Sequence, residues 1–320
     1  MAGAPRLSGL PAFVPRWPWI GGDLQTVRNW LVRPRPPIGA WPIEQLDFDM
    51  GDGTGDVLHG FLQRPAEQQP RPLVMLIHGL TGSSESSYVR VSTFNVLSAG
   101  YPVLRLNLRG AGSTRGRTRQ FYHAGRTADL DRVLRSLSPG LAAEGVVPVG
   151  YSLGGNLVLK YLGEQGANAP VMAAASISAP IDLSSAQSRL GTARNQVYHR
   201  YLLDTMKQER GAAPDAGIRS ILDFDNRIAP TNGFKDALDY YRQCSAGPVL
   251  GAIRRPTLII HAADDPWIPI DPYRAIGWEA NPMLLPMLMP SGGHVGFHGR
   301  GLTMPWHDRA LLEFLKPFGD

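Results

Sequence analysis

Apolar residues along the chain gather in short unbroken runs, separated by stretches in which they recur every three or four positions. Leu73-Val74-Met75-Leu76-Ile77 and Thr257-Leu258-Ile259-Ile260-His261 have no polar residue in their interior, the pattern of strands covered on both faces. Residues 102–107, 146–149, 171–178 and 283–289 read as further strands. Residues 24–31 and 88–99 read as helices, and 129–137 sets Leu130, Val133, Leu134 and Leu137 at the i, i+3, i+4, i+7 spacing of an amphipathic helix. Runs at 45–50 and 57–63 flank Gly51-Asp52-Gly53-Thr54-Gly55, which predicts a hairpin and an antiparallel edge pair. Strands alternating with helices predict an α/β fold whose sheet is mainly parallel and whose crossovers are right-handed.

Two segments stand outside that alternation. Residues 1–43 are rich in Pro and Trp, with Trp17, Trp19, Trp30 and Trp41 among turns, and read as a cover whose tryptophans pack onto the body. Residues 179–256 separate two successive strands by far more than the roughly one dozen residues a crossover needs. Within them Tyr198, Tyr201, Leu202 and Met206 repeat with helical spacing, as do Phe234, Leu238 and Tyr241, so 181–250 is expected to be a helical lid insertion. The remainder, and with it the whole of 1–320, reads as one domain.

Composition narrows the function classes. Hydrophobic residues at 43% and charged ones at 18% are an ordinary globular balance. A net charge of +5 raises the question of nucleic acid, but the densest basic cluster, Arg105 to Arg126, is interrupted by Gly and Thr, so no nucleic-acid partner is expected. A lone cysteine, Cys244, excludes an internal disulfide and a Cys-based zinc site, suits a reducing cytoplasm, and is expected to be a small buried residue. No ligand cluster has metal spacing. Residues 1–20 lack the apolar core of a signal peptide, and no run approaches the roughly 18 apolar residues of a membrane span, so the expectation is a soluble cytoplasmic protein of unknown oligomeric state.

The chemistry is carried by Val146-Val147-Pro148-Val149-Gly150-Tyr151-Ser152-Leu153-Gly154-Gly155-Asn156. A strand runs into G-x-S-x-G and on into a helical pattern through Leu157, Val158 and Tyr161. This resembles the nucleophile elbow of α/β-hydrolases, a turn too tight for side chains beside the serine. Ser152 would then sit at the apex, with a helix N-terminus behind it that favours negative charge. In that fold the acid and then the histidine follow the serine in sequence. Asp264 and Asp265 close the 257–261 strand region, and His294 follows the 283–289 strand between glycines. Asp265 is the favoured acid, with Asp264 open as the alternative, and His298 is the rival to His294. A histidine takes the serine proton and returns it to the leaving group, while the carboxylate holds the imidazole. The backbone N–H of Leu153 and that of Leu80, just past His78-Gly79, are the candidate oxyanion donors. Loss of one such donor has cost about 2.7–4 kcal/mol elsewhere.

Taken together the sequence resembles the YheT-like branch of the α/β-hydrolase superfamily. The matching pieces are Gly22-Asp23-Leu24-Gln25-Thr26, His78-Gly79-Leu80-Thr81-Gly82-Ser83, Asn107-Leu108-Arg109-Gly110, Tyr122-His123-Ala124-Gly125, the elbow, Phe224-Asp225-Asn226-Arg227, Gly233-Phe234-Lys235-Asp236-Ala237, Tyr240-Tyr241 and Gly292-Gly293-His294. The resemblance implies an eight-stranded sheet with helices on both faces and serine-dependent hydrolysis of esters or acyl lipids without metal or organic cofactor. Acyl transfer to an alcohol by the same triad, and a binding protein that keeps only the fold, are the alternatives. The apolar side chains of the insertion lead us to expect a small uncharged acyl ester of short to medium chain as substrate.

Overall fold

A computed structural model describes residues 7, 9–67, 69–210 and 217–319. Residues 1–6 and 8 of the expected cover, and 211–216 of the expected lid, lie outside the described residues. Eight strands form one sheet: β1 (Ile43–Asp49), β2 (Val57–Gln63), β3 (Leu73–Ile77), β4 (Val103–Leu106), β5 (Val146–Tyr151), β6 (Ala174–Ile177), β7 (Thr257–Ala262) and β8 (Leu284–Met289). Their order is β1-β2-β4-β3-β5-β6-β7-β8. β2 pairs antiparallel with β1 and β4, and every other pair is parallel. The expected strand boundaries hold to within a few residues; β6 is shorter than its apolar run because Val171 and Ala173 pack beyond the ladder.

Period-two alternation divides the unbroken runs between two cores. Val74 and Leu76 of β3 join Val147 and Val149 of β5 and Leu258 and Ile260 of β7 on one face, whereas Met75, Ile77 and Ile259 lie on the other. Helices α2 (Ser87–Ser98) and α10 (Trp306–Leu315) cover the first face through Val89, Val96, Trp306 and Phe314. Helices α3 (Thr127–Ser136) and α4 (Leu153–Gln165) cover the second through Leu130, Val133, Leu157 and Leu162. Each such side chain removed from water contributes about 1.5–3 kcal/mol, which makes the two-sided sheet the dominant apolar sink.

Ahead of the sheet stands α1 (Gly22–Val32). Between β6 and β7 lie α5 (Leu183–Leu190), α6 (Gln196–Glu209), α7 (Ile221–Ile228) and α8 (Ala237–Cys244), with the single turn α9 (Asp271–Arg274) after β7. Leu202, Leu203 and Met206 of α6 close on Ile218, Ile221 and Phe224 as a small separate core. Two expectations need correction. Phe234 precedes α8 rather than sharing its face, and Leu238 is exposed. In the N-terminal segment Trp41 packs on the body, against Phe94, but Trp17 and Trp30 are exposed, and the buried contacts that fix the segment run through Phe13, Ile38 and Gln25. Cys244 is buried, as expected, and burial pushes its thiol up to about 12.

Candidate active site

β5 delivers the chain to Ser152, whose backbone sits at φ 52, ψ −122 as the N-cap of α4. A non-glycine residue in that region costs on the order of 1–3 kcal/mol and is held only where neighbours over-determine it. Here they do. A Cβ on Gly150 would lie 2.2 Å from the Gly154 carbonyl oxygen, and one on Gly154 would lie 2.4 Å from that of His78. The Ser152 N–H donates to the Ile177 carbonyl at 2.8 Å, tying the elbow to β6.

His294 lies in the loop after β8, with its Nε2 2.9 Å from Ser152 Oγ and its Nδ1 2.8 Å from Asp265 Oδ2. Asp265 follows β7 and is buried; its Oδ1 accepts the backbone N–H groups of Trp267 and Ile268 at 2.8 and 3.0 Å. Burial by itself raises its pKa, but the neighbouring His294, together with the bonds it accepts, holds the carboxyl below its ordinary value. Asp264 is turned away: its Oδ1 accepts the Gly293 N–H at 2.9 Å, and burial raises it. His298 is likewise elsewhere, with Nδ1 3.3 Å from the Arg28 guanidinium, and burial pushes it down to about 3.

Between Gly79 and Glu85 every backbone N–H but one has an acceptor among the described residues. Gly79 donates to Tyr88 OH at 2.9 Å and Thr81 to Tyr122 OH at 2.7 Å, while residues 82–85 donate within the loop or to Asn107. The one left over is Leu80. Leu153 opens α4, where helix geometry supplies no partner for the first N–H groups. His78 braces this loop: Nε2 accepts the Leu108 N–H at 3.1 Å, Nδ1 lies 2.8 Å from the Gly79 carbonyl, and burial pushes its pKa down to about 4. A Cβ on Gly79 would come 2.9 Å from Ser152 Cβ, so the loop and the elbow are in direct contact.

Several side chains that the sequence reading left without a role position this site. Thr26 of α1 accepts the His294 N–H at 2.8 Å, and the Trp267 ring stacks on the His294 imidazole at 4.3 Å. Glycine at 22 and 293 allows the approach, since a Cβ at Gly22 would meet the Asp264 carbonyl oxygen and one at Gly293 would meet that of Gly22. Position 26 gives no local sign of this contact; a glycine-bounded polar stretch ahead of the sheet was the available signal. Tyr122 OH, besides accepting from Thr81, donates to Glu209 at 2.9 Å and so connects the 79–81 turn to the end of α6.

A cavity of about 380 Å³ opens at Ser152 and His294, with Val27, Trp30, Tyr88, Val197, Tyr198 and Tyr201 among its walls. Of the residues expected to face the serine, Tyr198 and Tyr201 do. Leu202 and Met206 turn into the small core of the insertion, Met206 and Phe234 border a chamber behind Leu80 and Leu153, and Tyr241 is held by Asp225 at 2.5 Å. Among the described residues no group of three or more His, Cys, Asp or Glu could hold a metal ion, and no helix is long and apolar enough to cross a membrane.

A sheet of this order, with a serine on a strand-to-helix elbow bonded to a histidine from the last loop, defines the α/β-hydrolase fold, and the family model described as alpha/beta hydrolase fold matches residues 72–216. The chain belongs to the YheT-like branch of that superfamily: it is 35% identical to the YheT protein of Escherichia coli (strain K12) over 98% of this chain and 96% of that protein. It is also 28% identical to the medium-chain fatty acid ethyl ester synthase/esterase 2 of Saccharomyces cerevisiae, covering 78% of this chain and 63% of the yeast protein. Among solved structures, the Pyrococcus furiosus esterase Pf2001 superposes with a TM-score of 0.60 at 16% identity, over 98% of this chain and 100% of that one, a likeness of fold.

Proposed function

We propose that the protein is a serine-dependent carboxylic ester hydrolase working through an acyl-enzyme on Ser152. The observation that carries this reading is the unbroken hydrogen-bond chain Ser152–His294–Asp265, at 2.9 and 2.8 Å. His294 Nε2 takes the proton as Ser152 Oγ attacks the ester carbonyl, and the developing oxyanion is met by the N–H groups of Leu80 and Leu153. The same nitrogen returns the proton to the departing alkoxide. Water then repeats the sequence on the acyl-enzyme, and Asp265 stabilises the imidazolium in both halves. No metal or organic cofactor enters this scheme.

The substrate reading is an uncharged ester of short to medium acyl chain. At about 380 Å³ the cavity stands near the lower end of small-molecule sites, and Val27, Trp30, Val197 and Tyr201 give it apolar walls. Helices α5 to α8 act as its lid. The yeast relative is named for medium-chain ethyl esters and for both synthesis and hydrolysis, which favours a second outcome on the same acyl-enzyme, transfer to an alcohol. Product analysis with a competing alcohol separates the two. A reducing cytoplasm is the compartment that suits the unpaired, buried Cys244.

Incubation with a fluorophosphonate, followed by peptide mass spectrometry, tests the mechanism. Labelling on Ser152 that disappears in Ser152→Ala is expected; an unlabelled folded protein would favour a binding role for the fold.

A further inference from the structure

Helix α1 is amphipathic in the reverse of the usual sense. Its inward stripe is polar: Gln25 Nε2 donates to the His298 carbonyl at 3.1 Å, Thr26 accepts from His294, and Asn29 donates to the Val295 carbonyl at 3.4 Å. Leu24, Val27 and Leu31, at i, i+3 and i+7, therefore occupy the opposite side. Leu31 is 55% and Trp30 57% exposed, and Trp17, just ahead of the helix, is 77% exposed. Across the cavity mouth α6, whose buried stripe is apolar, also exposes two apolar side chains at one turn's spacing, with Val197 81% and Tyr201 48% exposed. Asp23 ties α1 to α6 through Tyr198 OH at 2.9 Å and to the turn just ahead of α6 through Arg194 at 2.6 Å. Trp30, Val197 and Tyr201 thus form an exposed apolar rim at the opening to Ser152, with Leu24 and Leu31 exposed on the same helix as Trp30, and exposed apolar surface of this kind marks an interaction site.

Charge identifies what the rim fits. Residues 16–35 hold Arg16, Arg28, Arg33 and Arg35 against the single acid Asp23, which is already paired. Arg33 and Arg35 line a groove of about 550 Å³ that also holds Arg90, paired with Glu85 at 2.5 Å, and that shares Trp30 and Asn29 with the Ser152 cavity. Two copies meeting symmetrically on this face would set one arginine-rich rim against another. Tryptophan and leucine on one side with arginine at the border is the composition of helices that lie in a lipid interface. We propose that α1 and the start of α6 form a docking face for an anionic lipid surface, which seats the mouth of the cavity against the bilayer. Binding of this kind combines a shallow apolar insertion with attraction of basic groups to anionic headgroups.

Sedimentation with lipid vesicles tests the proposal on the full chain. Partitioning onto phosphatidylcholine vesicles containing a third phosphatidylglycerol should exceed that onto phosphatidylcholine alone by about tenfold or more at low salt, and the excess should shrink at high salt. Leu24→Ser/Leu31→Ser and Arg33→Glu/Arg35→Glu should each lower anionic partitioning by about tenfold or more, while leaving hydrolysis of a soluble short-chain ester in the absence of vesicles unchanged. Ser152→Ala should bind as the unaltered protein does, so the binding result stands apart from the ester-hydrolase reading. Equal partitioning onto the two vesicle types, or full binding by both double variants, overturns the proposal. So does a protein that ignores vesicles and instead forms dimers which Leu24→Ser/Leu31→Ser abolishes.

Discussion

Ser152, His294 and Asp265 act in the proposed mechanism only as a connected set, because the serine is inert without the base and the base is misaligned without the acid. Ser152→Ala and His294→Ala should therefore each lower kcat by several orders of magnitude, and the double variant should be little worse than either single one. Additive losses in steady-state kinetics would show that the two residues work independently. Asp265→Asn should be far more damaging than Asp264→Asn, since only Asp265 reaches His294. Thr26→Val tests the positioning role of α1: the partly buried His294 N–H loses its acceptor, a cost of about 1–3 kcal/mol. If most of that cost falls on the transition state, kcat should drop about tenfold or more with KM little changed.

The insertion between β6 and β7 divides its side chains between two tasks, although they share helices. Tyr198 and Tyr201 line the cavity, whereas Leu202 and Met206 hold α6 to Ile218, Ile221 and Phe224. Chain-length preference should therefore respond to the first pair and stability to the second. A longer acyl chain gains up to about 0.8 kcal/mol for each methylene buried, so p-nitrophenyl butyrate or octanoate should exceed acetate in kcat/KM by roughly tenfold. Tyr201→Ala should flatten that series in a protein of unchanged melting temperature. Leu202→Ala should instead destabilise by about 2–5 kcal/mol in thermal or denaturant unfolding, the range for a buried leucine. The opposite assignment of effects would mean that α6 presents its other face to the substrate.

Across the molecule, burial holds several histidines neutral. It pushes His78 and His261 down to about 4 and His123 and His298 down to about 3. Unfolding restores an ordinary value near 6.5, so between pH 6.5 and 4 the unfolded chain binds more protons than the folded one. Stability should be full above about pH 6.5 and fall as the pH drops toward 4, with His78 alone accounting for roughly 3 kcal/mol at the lower end. Asp225, pushed up to about 6 by burial, opposes this in the same window, as do Asp264, Glu209 and Asp308, which burial also raises, while His199 and His307, which burial lowers, add to the four. Guanidinium unfolding at pH 7.5 and 5 should show the loss; equal midpoints would mean that these rings are hydrated or find partners when charged.

How much of this was legible beforehand follows from the range over which each signal acts. The eight strands, the hairpin and the elbow depend on neighbours within a few residues: unbroken apolar runs, turn glycines, and a serine between glycines that clear the Gly154 and His78 carbonyls. Those could be read along the chain. So could the order of serine, acid and histidine, because strand ends of a parallel sheet share one edge. The choice between Asp264 and Asp265 could not, since both close the same strand and only the approach of Gly293 captures the first. Nor could the contact of Thr26 with His294, 268 residues apart, or the division of α6, where tyrosine and leucine repeat with equal helical fitness. The exposed tryptophans of the N-terminal segment belong to the same class. Local pattern determines which residues form an element and how its faces alternate, but which face meets the body is set by contacts with distant elements, and those exist only once the chain has packed.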